Sequence, residues 1–223
     1  LYVVHVSTGA GAEAVARARA RGQAVVGETC PQYLLLTEAE LDRPGFDGAK
    51  AVCSPPLRPA DNPPQLWRHL AADALSTVGT DHCAFFFEGQ KTLGRDVFTA
   101  IPNGLPGIEA RLALLYTFGV RAGRLSLQRW VDVCCVAPAR TFGLYPRKGS
   151  LMPGADADIV LFDPNRAVTL DREMLHERTD YTPYAGMAVQ GYPVATVARG
   201  AVIVRDGVFQ RTQGRGRFIA RPV

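Results

Sequence analysis

The 223-residue sequence has no low-complexity tract and no apolar run long enough to span a membrane. Its first residues also do not read as a signal peptide. The composition is ordinary for a globular protein, with 47% hydrophobic and 21% charged residues. These features predict a protein with no membrane partner, made of one large domain or two modest ones.

The sequence also lacks the cysteine spacing of a disulfide framework or a CxxC pair. It has five cysteines, an odd number, and two of them are adjacent. They are Cys30, Cys53, Cys83, Cys134 and Cys135. This pattern is typical of a reducing compartment and predicts a cytoplasmic protein.

A strong charge bias is absent as well, because the net charge is only +4. Much of the excess lies in the last twenty residues, where arginines alternate with glycines. The tail contains Arg205, Arg211, Arg215, Arg217 and Arg221 against the single acid Asp206. A basic tail can bind nucleic acid, but this one lacks an aromatic stacking platform. We therefore expect a solvated or subunit-contacting tail and no nucleic-acid partner.

The sequence begins without methionine, and residues Leu1–Val6 already have the pattern of a buried strand. We therefore expect the chain to be the C-terminal part of a longer protein. A site built from several strands would then be only partly present in it.

Strand-like and helix-like segments alternate over the first eighty residues. The predicted strands are Leu1–Val6, Gln23–Thr29, Ala49–Cys53 and Thr77–Thr80, and the main helices between them are Gly11–Arg21 and Pro63–Ala74. Such alternation predicts a parallel sheet. The predicted fold class is therefore α/β, of the kind found in (β/α)₈ barrels.

Polar residues stand near the C-terminal ends of three of these strands: His5, Ser54 and Asp81. Taken singly, His5 could be a core histidine, and Ser54 and Asp81 could cap the following turns. Because the ends of neighbouring parallel strands meet at one edge, the three together favour a functional site. In it Asp81 suits a metal ligand, a general base or both.

The stretch after Asp81 is long for a connection between a strand and a helix. It carries Phe85-Phe86-Phe87, Gly89-Gln90-Lys91 and Asn103-Gly104. Loops of this length at a catalytic face commonly bind substrate. The phenylalanines could equally pack against the rim of the sheet, and Asn103-Gly104 could be an ordinary turn.

The later part of the chain changes its pattern. Two helices are predicted at Gly107–Gly119 and Ser126–Leu144, with Ser126 as N-cap. After Gly149 short strands follow, at Asp158–Asp163, Val194–Val197, Ala201–Val204 and Val208–Gln210, and His176 reads as a surface residue. Arg199-Gly200 and Asp206-Gly207 predict hairpin turns. Residues 149–223 thus predict a small antiparallel β unit following residues 1–148.

Seven blocks of residues, taken in order, resemble the cyclic amidohydrolases, and most closely the dihydropyrimidinase/D-hydantoinase group. The resemblance covers essentially the whole chain. The blocks are Tyr2–Ser7, Gly27–Leu34, Ser54–Arg58, Thr80–Cys83, Gly89–Lys91, Ile101–Gly104 and Gly154–Val160. The Cys after Asp-His, together with Gly-Gln-Lys and Ile-Pro-Asn-Gly, resembles dihydropyrimidinase more than dihydroorotase or allantoinase.

The resemblance implies the C-terminal part of a (β/α)₈ barrel in residues 1–148 and a β-sandwich portion in residues 149–223. It implies two divalent metal ions, usually zinc, with His5 and Asp81 as ligands and Asp81 as the catalytic proton shuttle. Ser54 and Asn103 match positions whose main chain holds the amide groups of the substrate ring. His82 is expected to face the helices and not to bind metal, since side chains alternate along a strand.

The implied activity is hydrolytic opening of small cyclic amides, dihydropyrimidines or hydantoins, to N-carbamoyl amino acids, by an enzyme that is commonly a tetramer. The remaining ligands, among them a carboxylated lysine and further histidines, would lie before Leu1. The chain alone is therefore expected to be inactive. Two alternatives stay open: an allantoinase- or dihydroorotase-like enzyme, and a non-catalytic scaffold protein of the same fold.

Overall fold

The structure, a computed structural model, describes residues 1–210 and 214–220. Its first sheet has three parallel strands in the order β1 (Tyr2–Val3), β2 (Val26–Thr29) and β3 (Thr77–Val78). Each is shorter than predicted, but pairing continues beyond the ends, with Val6 N–H donating to Glu28 O at 2.7 Å. The predicted parallel pairing is confirmed.

Helices cover this sheet as the alternating pattern predicts. They are α1 (Gly9–Ala20), α2 (Pro31–Leu35) and α3 (Asn62–Ala71). The Thr8 hydroxyl caps α1 by accepting the Gly11 N–H. Trp67 of α3 is buried and donates its indole N–H to Leu34 O at 3.0 Å, which joins α3 to α2.

The predicted strand at Ala49–Cys53 is wrong, because Asp47–Ala51 forms a 3₁₀ turn instead. Its alanines, glycine and lysine lack the β-branched side chains that favour strands. Gly48 also lies so close to the Leu41 backbone that a Cβ would come within 2.1 Å of the Leu41 oxygen. Ser54 therefore does not follow a strand, and other contacts must bring it to the site.

The helical part that follows β3 is less regular than predicted. It consists of α4 (Arg111–Leu115), α5 (Leu127–Val131) and α6 (Ala137–Thr141), with π-helical turns at Tyr116–Arg121 and Asp132–Val136. The predicted N-cap is confirmed, since the Ser126 hydroxyl accepts the Arg129 N–H at 3.0 Å.

Short 3₁₀ turns lie at Glu38–Asp42, Lys91–Gly94, Phe98–Ala100 and Arg172–Met174.

The second sheet is antiparallel, in the order β4 (Ile159–Thr169), β5 (Ala188–Ala198), β6 (Ala201–Arg205) and β7 (Val208–Phe209). β4 and β5 are 11 residues each and longer than predicted. Each of them contains a proline, which the pair accommodates at register shifts beside Phe162 and Asp163. Both predicted hairpin turns are confirmed.

Aromatic side chains join the second sheet to the helices. Phe162 of β4 packs against Tyr116 and Trp130, with ring centroids 4.9 and 5.0 Å apart. All three belong to or pack against one buried cluster that also includes residues of α2, α3 and β3. The two sheets therefore share a core.

None of the described helices combines the length and the apolar character that a membrane crossing requires.

A second connection reaches the long loop that follows β3. The Asp180 carboxylate accepts the N–H groups of Phe87 and Glu88 at 2.7 and 2.9 Å, and Tyr181 packs edge-on against the Phe87 ring. The acceptor lies 93 residues further along the chain than Phe87. The segment between β4 and β5 thus holds the loop in place from outside.

The Asp180 contact predicts how easily the loop opens. Asp180→Ala in the full-length protein removes two hydrogen bonds and is expected to cost about 1 kcal/mol locally, because the site is exposed. Cleavage after the exposed Glu88 by a glutamyl endopeptidase should then be about five times faster. Asp96→Ala, which changes an exposed aspartate of the same loop, is the control. Equal cleavage rates in the two variants would contradict this role.

Candidate functional site

Left-handed backbone marks the ends of β1 and β3. Among the described residues, positive φ occurs at five non-glycine positions: His5, Asp73, Asp81, Arg199 and Asp206. Arg199 and Asp206 lie in hairpin turns and Asp73 follows the end of α3, where this backbone is ordinary.

No turn of either kind explains the other two positions. His5 (φ 40°) and Asp81 (φ 48°) follow parallel strands of the same sheet. Such backbone costs on the order of 1–3 kcal/mol per residue and is typical of sites that bind or react. The two residues that the sequence singles out as metal ligands are therefore also the two with unexplained backbone strain.

Neither side chain is committed to the protein. In the part of the chain that the structure describes, the His5 imidazole and the Asp81 carboxylate make no hydrogen bond or ion pair. His5 is half-buried and Asp81 is exposed. An imidazole nitrogen and a carboxylate oxygen are thus both available to a ligand at one edge of the sheet.

The Asp81 charge reaches the end of β2, which lies between β1 and β3. Burial raises the pKa of the Cys30 thiol, and the charges of Glu28 and Asp81 raise it further. The Tyr33 hydroxyl and the Cys53 thiol also have raised pKa values, again mainly from burial and in part from Asp81. The Asp81 charge therefore acts on groups at the start of α2 and in the segment before Ser54.

His82 is bound to the start of the next helical segment. Its Nδ1 accepts the N–H groups of Gly107 and Ile108 at 3.1 and 3.3 Å. With Nδ1 as acceptor, the neutral ring carries its proton on Nε2. These bonds fix the chain direction just after Asp81, which agrees with the expected supporting role of His82.

A short parallel contact between His82 and Leu105 brings Asn103 towards Asp81. Cys83 N–H donates to Leu105 O at 3.2 Å and Gly104 N–H donates to Val52 O at 3.1 Å. Gly104 has φ 150°, and a Cβ there would lie 2.3 Å from the Cys83 oxygen. Only glycine permits this approach. Ser54 and Asn103, both exposed, are thereby carried by neighbouring segments beside Asp81.

A buried lysine links these segments and was missed as a contributor by the sequence reasoning. The Lys91 side chain is 0% exposed, and its Nζ donates to Val52 O and Pro102 O at 3.0 Å each. Burial lowers its pKa to about 8. The only signal in the sequence was its place in the Gly-Gln-Lys block.

His176 is exposed, as predicted, yet its ring is not free. Its Nδ1 lies 2.6 Å from a Glu109 oxygen, and Glu109 N–H donates to Glu177 at 2.9 Å. The bond to Glu109 raises the pKa of His176. These contacts join the start of α4 to the segment before β5 and lie outside the edge that carries Asp81.

The site is incomplete as a metal centre within this chain. The described residues contain no group of three or more His, Cys, Asp or Glu side chains arranged to bind an ion. His5 and Asp81 supply one nitrogen and one carboxylate ligand, which suit zinc, but a closed or catalytic zinc site needs at least three protein ligands.

The chain is similar to known proteins over almost its whole length. D-hydantoinase of Geobacillus stearothermophilus is 47% identical over 221 residues, which cover 99% of this chain and 47% of that protein. A dihydropyrimidinase structure from Brevibacillus agri has a TM-score of 0.92 and 49% identity, covering 94% of this chain and 45% of that one. A D-hydantoinase structure has a TM-score of 0.98 and 46% identity, covering 100% and 48%.

The chain spans about half the length of the curated relatives that it matches. Residues 8–203 match the sequence pattern of the Amidohydrolase family. This match covers most of the chain. The chain belongs to the amidohydrolase family.

Proposed function

We propose that the full-length protein, of which this chain is the expected C-terminal part, hydrolyses the ring amide of hydantoins or dihydropyrimidines. The observation that carries this proposal is the pair His5 and Asp81, which have no partner among the described residues and lie in left-handed backbone at the ends of parallel strands. The names of the relatives, D-hydantoinase and dihydropyrimidinase, support this reaction class.

The finer architecture belongs to the same proposal. Residues 1–148 would form the last part of a (β/α)₈ barrel, and residues 149–223 would contribute to a β-sandwich. The parallel order β1-β2-β3 with covering helices, and the antiparallel order β4-β5-β6-β7, support this division.

His5 and Asp81 fit part of a two-metal site by their donor chemistry, and because residues 1–210 and 214–220 offer them no hydrogen-bond or ion-pair partner. The other ligands, a carboxylated lysine among them, would come from the preceding part of the protein. When bound, two divalent ions, zinc by resemblance, supply an acidified water and a polarised amide carbonyl.

The chain's own residues supply proton transfer and orientation. The Asp81 carboxylate takes a proton from the attacking water and later gives it to the leaving ring nitrogen, as general base and then general acid. The C–N bond breaks, a carboxylate forms on carbon, and the nitrogen leaves as part of a carbamoyl group. The main chain at Ser54 and Asn103 would hold the ring by its amide edges.

The role of Asp81 predicts a large loss of activity. In the zinc-loaded full-length protein, Asp81→Ala should lower kcat for hydantoin or 5,6-dihydrouracil by about 10²–10⁴-fold, because proton transfer is lost. Asp206→Ala is the matched control, since Asp206 has the same left-handed backbone but lies in a hairpin turn. Ring opening is measured by the amount of N-carbamoyl product released.

Several outcomes of that assay would change the assignment. Turnover of allantoin or dihydroorotate alone would support the same ring-opening reaction but assign a different substrate. No turnover of any of the four compounds at full metal occupancy would favour a scaffold protein. An Asp81→Ala variant as active as the parent would remove Asp81 from the reaction.

The incomplete ligand set predicts the behaviour of the chain in isolation. Residues 1–223 expressed alone should open no hydantoin ring even with added zinc, because two protein ligands are too few to hold two catalytic metal ions. The full-length protein, assayed beside it, provides the positive control. Measurable ring opening by the isolated chain would contradict the proposal.

We also propose that the full-length protein is a tetramer, with the tail after Asp206 in a subunit contact. Val208, Phe209 and Phe218 are 62%, 54% and 93% exposed in this chain, which supports burial in an assembly. Arg211 and Arg221 of this tail lie outside the described residues. Sedimentation velocity should show loss of the tetramer when the protein is truncated after Asp206, and an unchanged tetramer would contradict this contact.

A further inference from the structure

The long loop between β3 and α4 turns one charged group inward. Lys91 is 0% exposed, and within the described residues its ammonium has no carboxylate partner. Its only protein acceptors there are two main-chain oxygens, Val52 O and Pro102 O, both at 3.0 Å. These oxygens belong to segments that are 50 residues apart in the sequence.

Burying an ammonium group in order to join two segments carries a large desolvation free energy. Removing a cation from water costs several kcal/mol, and an apolar side chain of similar volume often stabilises a fold as well or better. Two carbonyl acceptors return part of this cost, because hydrogen bonds to a charged donor are stronger than neutral ones. Stability alone therefore does not account for a lysine here, and the direction of the two carbonyls is what it specifically controls.

Each of these carbonyls belongs to a peptide unit that leads into a proposed substrate-binding position. The Val52 carbonyl shares a planar unit with the N–H of Cys53, which precedes Ser54, and the Pro102 carbonyl shares one with the N–H of Asn103. In a trans peptide the two groups point in opposite directions. Drawing both carbonyls towards Lys91 therefore turns both N–H groups away from it.

The surroundings make this arrangement rigid. Gly104 N–H also donates to Val52 O, so Val52 O, Pro102 O, Gly104 N–H and Lys91 Nζ form one junction, which we name the Lys91 junction. On the other side of Ser54, the Tyr33 hydroxyl donates to Pro55 O at 2.8 Å. Ser54 thus lies between two carbonyls that are each held from the protein interior.

Lys91 itself is presented from a fixed turn. Its N–H donates to Phe86 O at 3.0 Å, and the Gln90 side chain accepts the Phe86 N–H at 2.6 Å. The loop closes on itself here, and a Cβ on Gly94 would lie 2.1 Å from the Ile101 side chain. The ammonium therefore stands at a set position relative to Pro102 and Asn103.

We infer that Lys91 is a positioning residue for the cyclic-amide substrate, because the Lys91 junction sets the main chain at Ser54 and Asn103 in the orientation that receives the ring. This inference rests on the proposed function. Lys91 touches neither the ring nor the reacting atoms. Its removal should weaken ring binding more than it slows the chemical step.

The test compares Lys91→Met with the parent in the full-length, metal-loaded protein. The methionine keeps length and apolar volume and removes the donors. KM for hydantoin or 5,6-dihydrouracil should rise about tenfold or more, as expected for loss of hydrogen bonds to a charged group, while kcat changes less than about threefold. Metal content, measured by atomic absorption, should stay unchanged.

Lys50→Met is the charge-matched control. Lys50 pairs with Asp47 at 2.8 Å and lies over the Phe87 ring, but it does not bond to Val52 or Pro102. Its KM should stay within about twofold of the parent. Lys91→Arg, which keeps a charged donor, should recover part of the KM lost in Lys91→Met.

Deuterium uptake in residues 51–57 and 99–105 adds a readout that does not depend on the reaction. It should rise in Lys91→Met and not in Lys50→Met. If Lys91→Met does not fold, Lys91→Gln, which keeps an amide donor, takes its place in both measurements.

The outcomes separate this inference from the proposed function. An inactive parent with intact metal would end the proposed function. An active parent with unchanged KM in the Lys91 variants would end the inference alone. Equal losses in kcat and kcat/KM, or loss of metal, would also overturn it, because Lys91 would then act on the reaction centre or on the whole fold.

Discussion

The bonds from the buried Lys91 ammonium to two carbonyl oxygens hold together the parts of this structure that sheet pairing does not reach. Ser54 follows a 3₁₀ turn and an irregular segment, and Asn103 ends a long loop, so neither belongs to the parallel sheet. The Lys91 junction joins the two segments directly. The main-chain groups at Ser54 and Asn103 are thereby held beside the edge that carries His5 and Asp81.

Backbone strain at His5 and Asp81 depends on the sheet beneath them. A non-glycine residue in left-handed backbone persists only where its surroundings over-determine it. The pairing of β1, β2 and β3 fixes the chain before each residue, and the bonds of His82 to Gly107 and Ile108, just before α4, fix it after Asp81. The surrounding structure thus stabilises two residues whose side chains have no partner in the part of the chain that the structure describes.

The second sheet contributes to the site from a distance. Its core is continuous with that of the helices through Tyr116, Trp130 and Phe162, and Asp180, from the segment before β5, holds the loop that presents Lys91. The antiparallel part is therefore a support for the loop as well as an attached unit. This explains how one chain combines a strained edge with a long loop that is held at several points.

The sequence by itself determined the features that depend on local chemistry. Alternating strand and helix patterns predicted the parallel sheet, the serine before α5 predicted its N-cap, and Arg199-Gly200 and Asp206-Gly207 predicted the hairpin turns, because each signal acts within a few residues. The family resemblance singled out His5 and Asp81. Only the tertiary structure decided that residues 47–51 do not form a strand, and that Lys91 and Asp180 support the site. Val52 lies 39 residues from Lys91 and Phe87 lies 93 residues from Asp180 in the sequence, and no local pattern records a hydrogen bond formed over such a separation.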